Sequence, residues 1–218
     1  MRFLLGSNFW KMNVENSDKD YRDYVFPSRD DLFNAKVISV QRKMNIDGVE
    51  CDVELKDIRL ILKELRKGSL KIFEVFYSKP LDELSIRERP IWEFIENNKD
   101  ELFQEVKYEF MKSVLGEGVN RLTKLKNEFE GKQLAHAQKL LWLLTLSHNC
   151  DNPFDIILGK TFTDKLLETR LNPTKKLMRD IENGFISYKN IDFKRHYRED
   201  KPKVDELEKL IKDMVFIQ

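Results

Sequence analysis

The residues in this sequence best suited to chemistry are carboxylates. Asp18 and Asp20 flank Lys19, Asp52 sits in the run Glu50-Cys51-Asp52-Val53-Glu54, and Gly6-Ser7 follows a short apolar run. Alternate side chains of a strand share a face. Asp18 and Asp20 are therefore expected to project together, and Glu50, Asp52 and Glu54 to share a face while Cys51, Val53 and Leu55 turn into the core. Three carboxylates meeting on a sheet repel one another unless a cation lies between them, and Mg²⁺ takes a few carboxylates together with phosphate oxygens and water. Two Mg²⁺ or Mn²⁺ ions side by side activate an attacking hydroxyl and neutralise a departing pyrophosphate. In that scheme Asp18 and Asp20 bridge both ions and Asp52 holds the one beside the nucleophile, with Glu54 a rival for its place. Gly6 lets backbone N–H groups approach a phosphate, and Ser7 adds a hydroxyl. Each element taken singly has a plainer explanation, a solvated turn for Asp18-Lys19-Asp20 after Asn16 and Ser17, or the wet face of a hairpin for Glu50, Asp52 and Glu54.

The elements that must position these groups are strand-like at first. Phe3-Leu4-Leu5, Tyr21 to Phe26, Val37 to Val40 and Val49 to Leu55 are rich in β-branched and aromatic residues, and Asp47-Gly48 suits a tight hairpin turn between the last two. From Lys56 onward the apolar spacing is helical. Ile58, Ile61, Leu62 and Leu65 share one face, Lys67-Gly68-Ser69 ends that helix, and Leu70 to Tyr77 forms the next. Longer amphipathic stretches cover Ile91 to Leu115, Val119 to Phe129, Lys132 to Ser147, Asn172 to Asn183 and Val204 to Val215, broken at Gly116, Gly131, Asn149 to Pro153 and Lys194 to Lys203. The expected fold is α+β, a small mixed sheet core over residues 1–85 followed by a helical bundle over 86–218.

Bulk properties narrow the possibilities. Thirty-nine Lys and Arg against 38 Asp and Glu leave no global basic field, so any polyanion site is local. Cys51 and Cys150 are too few for a disulfide scaffold. The longest apolar run, Leu140 to Leu146, is too short to cross a bilayer, and Met1 to Ser7 lacks the apolar core of a signal peptide. The expectation is a cytoplasmic protein with no membrane partner.

Gly6-Ser7, ten intervening residues, Asp18-Lys19-Asp20 and a later strand bearing Asp52 resemble the nucleotidyltransferase signature of the DNA polymerase β superfamily. More narrowly, Ser17 to Arg22 followed by Tyr24-Val25-Phe26-Pro27 is similar to the RNA-ligase-associated nucleotidyltransferase family. Asp52 to Leu55, Lys67 to Ser78, and Lys132-x-x-x-His136 in Lys132 to Leu141 continue the likeness. It covers Arg2 to Ser78 well and Lys132 to Ser187 loosely. Phe9-Trp10-Lys11-Met12 stands where that family commonly has Tyr-Gly, and Asp23 where it often has glycine. The resemblance implies Asp18, Asp20 and Asp52 as metal-binding and catalytic, and Gly6, Ser7, Arg22, Lys132 and His136 as nucleotide-binding. It implies transfer of a nucleoside monophosphate from a nucleoside triphosphate to a hydroxyl of an RNA end or a protein, with release of pyrophosphate. The alternative is a catalytically inactive nucleotide-binding or antitoxin-like interaction protein.

Several residues keep two explanations. Lys132 and His136 can face one target from a helix, with Lys139 on a neighbouring track, yet Leu134, Leu140, Leu141 and Leu144 make that helix a core element first. Arg22 can reach a phosphate or pair with Asp23 or another nearby acid. Phe9 and Trp10 suit a base-stacking role or the core. His148 and Cys150 suggest a metal only faintly. Lys194-Arg195-His196-Tyr197-Arg198 has the basic-aromatic mixture that tracks a nucleic-acid backbone, although Glu199-Asp200 follows at once and a solvated loop explains it as well.

Overall fold

The computed structural model describes residues 1–15, 17–46 and 48–216. The chain is α+β: a four-stranded mixed sheet near the N-terminus, followed by a helical region. Strand β1 (Arg2–Leu5) runs straight into a single helical turn, α1 (Gly6–Phe9), and β2 (Asp20–Val25) returns antiparallel to β1. Helix α2 (Arg29–Phe33) leads to the antiparallel pair β3 (Ser39–Ile46) and β4 (Val49–Asp57), and β4 lies parallel to β2, giving the order β1-β2-β4-β3. Ile46 faces Val49 across the hairpin, whose Gly48 has the positive φ of 81° that such a turn requires; Asp47, the other residue expected there, lies outside the described residues.

Helices α3 (Leu60–Arg66) and α4 (Leu70–Phe76) come next, then α5 (Glu88–Glu105), α6 (Lys107–Asn127), α7 (Gly131–Asn149), α8 (Pro153–Ile157), α9 (Lys160–Leu171) and α10 (Lys175–Lys189). A 3-10 turn at Phe193–His196 precedes α11 (Pro202–Phe216). Among the described residues no helix is long and apolar enough to cross a membrane.

Register decides which sheet face looks onto the core. Leu5 pairs with Asp20 and Asp20 with Asp52, while Phe3 pairs with Arg22 and Arg22 with Glu54, so all seven positions including Tyr24 share one face. Phe3, Leu5 and Tyr24 on it belong to the main core, with the Phe3 ring 5.3 Å from that of Trp92 in α5. The strand alternation had placed the core under Cys51, Val53 and Leu55. Cys51 and Val53 are buried, but the main apolar cluster lies beneath the opposite face, which carries the carboxylates at its edge. Alternation along β4 separates two faces without saying which one the helices cover.

One apolar cluster joins sheet and helices. The Phe73 ring of α4 lies 5.2–5.8 Å from those of Phe76, Phe103, Phe110 and Phe154, tying α4 to α5, α6 and α8. The turn between α3 and α4 is wedged against α6: Gly68 has φ of 60°, and a Cβ there would stand 2.1 Å from the Phe110 backbone nitrogen. The Glu105 carboxylate at the end of α5 accepts from the Lys203 and Val204 N–H groups at 2.9 Å each, satisfying the first turn of α11.

The helical region corrects several expectations. The stretch from Ile91 to Leu115 is broken at Val106, not at Gly116, and α6 runs on through Gly116 and Gly118. Gly118 leaves room for the Phe185 ring, which would stand 2.2 Å from a Cβ. Helix α9 was not expected, because two of its three buried residues are Thr163 and Thr169, and the apolar period vanishes. Helix α10 starts at Lys175 rather than Asn172, where the Thr174 hydroxyl accepts from Leu177 N–H.

Candidate functional site

The parallel pairing of β2 and β4 sets Asp20 directly beside Asp52, with neighbouring strands about 4.8 Å apart. Both carboxylates line a cavity of about 270 Å³, together with Gly6, Glu54 and, from α4, Lys71 and Glu74. The β1–α1 junction forms the adjoining wall. Gly6 there has φ of 62°, and a Cβ would stand 2.2 Å from Asp20 Oδ2. The backbone therefore touches the carboxylate at a position where only glycine fits without strain. Gly6→Ala is expected to lower stability by about 1–3 kcal/mol, from the strained backbone, and to push Asp20 out of register with Asp52. Urea denaturation checks the first effect and nucleotide binding the second.

Asp18 departs from expectation. Strand β2 begins at Asp20, so Asp18 lies in the exposed loop before it, anchored through its carbonyl to the Asn8 side-chain amide at 3.2 Å. Its charge still reaches Asp20. Burial raises the Asp20 carboxyl above its ordinary value, Lys132 opposes the rise, and the like charges of Asp52 and Asp18 add to it. Among the described residues no three His, Cys, Asp or Glu side chains already stand close enough together to hold a metal ion. The Asp20–Asp52 pair nevertheless has the donor chemistry of a divalent-cation site: hard oxygens, side by side, mutually repelling.

Glu54, the rival ligand, is engaged elsewhere. The Arg22 guanidinium, 1% exposed, reaches Glu54 at 2.5 Å and Glu64 at 2.7 Å and also donates to the Tyr24 hydroxyl at 3.2 Å. Lys56 bridges the same two glutamates at 3.1 and 2.5 Å. Burial pushes the Glu54 carboxyl up, but Arg22, Lys71 and Lys56 outweigh it and hold it at about 2. Arg22 thus pairs with nearby acids, whereas Asp23 is held by Arg2 at 2.8 Å. Neither Arg22 nor the buried Ser7 belongs to the cavity wall. Ser7 closes the loop beneath it, its carbonyl accepting from Met12 N–H at 2.8 Å.

Lys132, in the first turn of α7, brings positive charge to Asp20 from the helical side. One turn further along, His136 lies partly buried in a nest of cations. Burial, then Lys139, Arg121, Lys132 and Arg170, press its imidazole down to about 2, so it is neutral across the ordinary pH range. Between the ordinary 6.5 and about 2 the unfolded chain binds the extra proton and the folded chain does not. Stability from this residue is therefore full above 6.5 and declines as pH falls through that window. Glu54 loses its contribution only lower, between 4.5 and about 2. The fall in Tm from pH 7.5 to 5.5 is expected to be smaller in His136→Gln than in the parent; His148 and His196, also lowered by burial, supply the remaining slope.

Three residues at this site had not been singled out as a unit. Glu74, 6% exposed, accepts from Trp10 Nε1 at 2.5 Å and lies 3.6 Å from the fully buried Lys139 Nζ, which stands 4.3 Å above the Trp10 ring. Together the three join the segment just after α1 to α4 and α7 beside the cavity. The signal was an acid inside Ile72-Phe73-Glu74-Val75-Phe76, where every neighbour is apolar and buried. Trp10 is core, and Phe9 packs edge-on against it at 4.9 Å. Comparison with protein-family models and with curated proteins finds no match to this chain.

Proposed function

We propose that the chain is a metal-dependent nucleotidyltransferase that moves a nucleoside monophosphate from a nucleoside triphosphate to a hydroxyl acceptor. The observation that carries this is the register pairing of Asp20 with Asp52 over a cavity whose wall is Gly6 backbone, with Asp20 held at a raised pKa by burial and by its like-charged neighbours. A carboxylate pair left in repulsion is poised for a cation. When bound, Mg²⁺ or Mn²⁺ supplies Lewis acidity for the triphosphate and the attacking hydroxyl. Asp20 and Asp52 would hold it, and the nearby Asp18, whose charge already acts on Asp20, would supply a further oxygen donor. Lys71 in the wall and Lys132 opposite place positive charge where a polyphosphate enters, and Gly6 lets the chain approach it. Arg22 sets Glu54 and Glu64 in place rather than touching substrate. The likeness of Gly6-Ser7, Asp18-x-Asp20 and Asp52 to the RNA-ligase-associated nucleotidyltransferases supports the same reading.

The test incubates the protein with each radiolabelled nucleoside triphosphate, Mg²⁺ or Mn²⁺, and total RNA or protein. Label transferred to an acceptor with release of pyrophosphate is expected; no label in any combination would refute turnover. A second reading, a nucleotide-binding protein without turnover, is favoured by Asp18 standing outside the strand. It is distinguished by triphosphate-dependent stabilisation without product.

A further inference from the structure

Away from the carboxylate cavity, the 3-10 turn at Phe193–His196 packs on the end of α7 and the start of α6, where it forms a cluster rich in donors and poor in acceptors. Arg195 Nη2 lies 2.7 Å from His148 Nε2 and donates to the His148 carbonyl at 3.2 Å, and Arg195 Nε donates to His196 Nε2 at 3.1 Å. These partners are imidazoles and a carbonyl, not carboxylates. Accepting at Nε2 leaves the His148 proton on Nδ1, and that atom is buried with no hydrogen-bond partner. Lys107, 5% exposed, donates to the Cys150 carbonyl at 2.9 Å, while its nearest acid, Asp151, is 3.9 Å away and almost wholly exposed. Burial and then the neighbouring cations depress His148, and burial, Lys107, Arg195 and His148 depress His196. Of the other acids nearby, Asp192 caps Lys194 N–H at 2.9 Å, Glu109 holds Lys201 at 2.5 Å through one oxygen while the other is buried without a partner, and Glu199 and Asp200 are exposed beyond Arg198. Asp100, Glu101, Glu105 and Asp151 line a neighbouring cleft with Arg198, where Asp100 accepts from Asn152 and Glu105 from the first turn of α11.

Aromatic surface adjoins the cations. Tyr197, 54% exposed, meets Tyr108 edge-on at 5.5 Å, and Lys112 lies 5.1 Å over the Tyr108 ring. Tyr108 and Lys112 open onto a cleft of about 530 Å³ whose other wall carries Lys189 and Phe193.

We propose that this surface binds single-stranded nucleic acid, with the exposed Arg195 and Arg198 facing phosphates, the buried Lys107 adding positive charge from beneath, and the exposed Tyr197 ring stacking a base. An anion supplies the acceptors that the cluster lacks, and a flat base suits a ring already half exposed between cations. The site shares no group with the carboxylate cavity and stands or falls independently of the reaction assigned there.

The test is fluorescence anisotropy with fluorescein-labelled 12-residue oligouridylate and oligothymidylate, without nucleoside triphosphate or metal, over a salt series. Inorganic polyphosphate serves as the competitor without bases. Binding of a labelled strand that weakens with salt is expected, and the RNA and DNA arms identify the preferred strand. Tyr197→Ala is expected to weaken it about tenfold, the size of one lost base stack, and Arg198→Gln to reduce the salt slope by about one. Both residues are exposed, so neither change threatens the fold; Arg195→Gln, which also frees His148, is read only alongside an unchanged melting curve. Equal affinity of parent, Tyr197→Ala and Arg198→Gln, or no binding at about 0.1 M salt, would overturn the proposal. Equal displacement by polyphosphate together with an unaffected Tyr197→Ala would reduce the surface to a general anion patch and likewise overturn it.

Discussion

Asp20→Asn is expected to abolish nucleotidyl transfer, by at least about a thousandfold, without lowering the melting temperature. Asparagine keeps the shape of aspartate and removes its charge. In the folded protein that charge is half-buried and faces the like charges of Asp52 and Asp18, so burial and repulsion raise its pKa above the ordinary value. Deleting it relieves both costs, and the fold should hold or gain slightly. A metal ligand behaves in the opposite way towards activity: losing the Lewis acid it positions removes several kcal/mol of transition-state stabilisation, about a thousandfold or more in rate. Stability held while activity vanishes is the signature of a carboxylate kept for chemistry. If Asp20→Asn destabilised the protein and left transfer intact, Asp20 would be a structural residue. Asp52→Asn is expected to follow the same pattern, measured in the same transfer assay with a melting curve beside it.

The second large effect is the reverse in kind. Arg22→Ala is expected to cost about 3 kcal/mol, the low end of the 3–5 found when one partner of a buried ion pair is removed, and to lower Tm by on the order of 10 °C. Arg22 is 1% exposed and binds Glu54 at 2.5 Å and Glu64 at 2.7 Å. Its loss leaves two carboxylates facing each other with Lys56 alone between them. That lysine and the partial exposure of both glutamates place the cost at the low end. Arg22→Lys restores the charge but not the fork that serves two acids and the Tyr24 hydroxyl, and should recover only part. Urea denaturation of the three proteins ranks them, and equal midpoints would remove Arg22 from the support of the site.

Part of this was legible in the residues. The change from strand-like to helical spacing after Leu55, the hairpin about Gly48 and the mixed sheet followed by helices all appear in the structure. The adjacency of Asp20 and Asp52 was inferable only in part, because alternation sets faces within a strand while a parallel register between distant strands depends on how β3 and α2 return the chain. Asp18 looked like a strand residue by spacing, yet pairing starts at Asp20, opposite Leu5 on one side and Asp52 on the other. The fate of Arg22 was undecidable from its neighbours, since Glu64 lies on α3, far along the chain and close in space. The same holds for Glu74 and Lys139, a buried pair made by two helices and the Trp10 indole. Threonines at the buried positions of α9 hid a whole helix.

The most direct test of the central claim is calorimetric titration of Mn²⁺, with and without a non-hydrolysable nucleoside triphosphate, into the parent and into an Asp20→Asn, Asp52→Asn double variant. The parent is expected to bind Mn²⁺ more tightly when the nucleotide is present, and the double variant to show no such binding while melting at the same temperature. Equal Mn²⁺ affinity in the two proteins, or none in the parent with nucleotide, would contradict the assignment of the Asp20–Asp52 pair as the metal and nucleotide site.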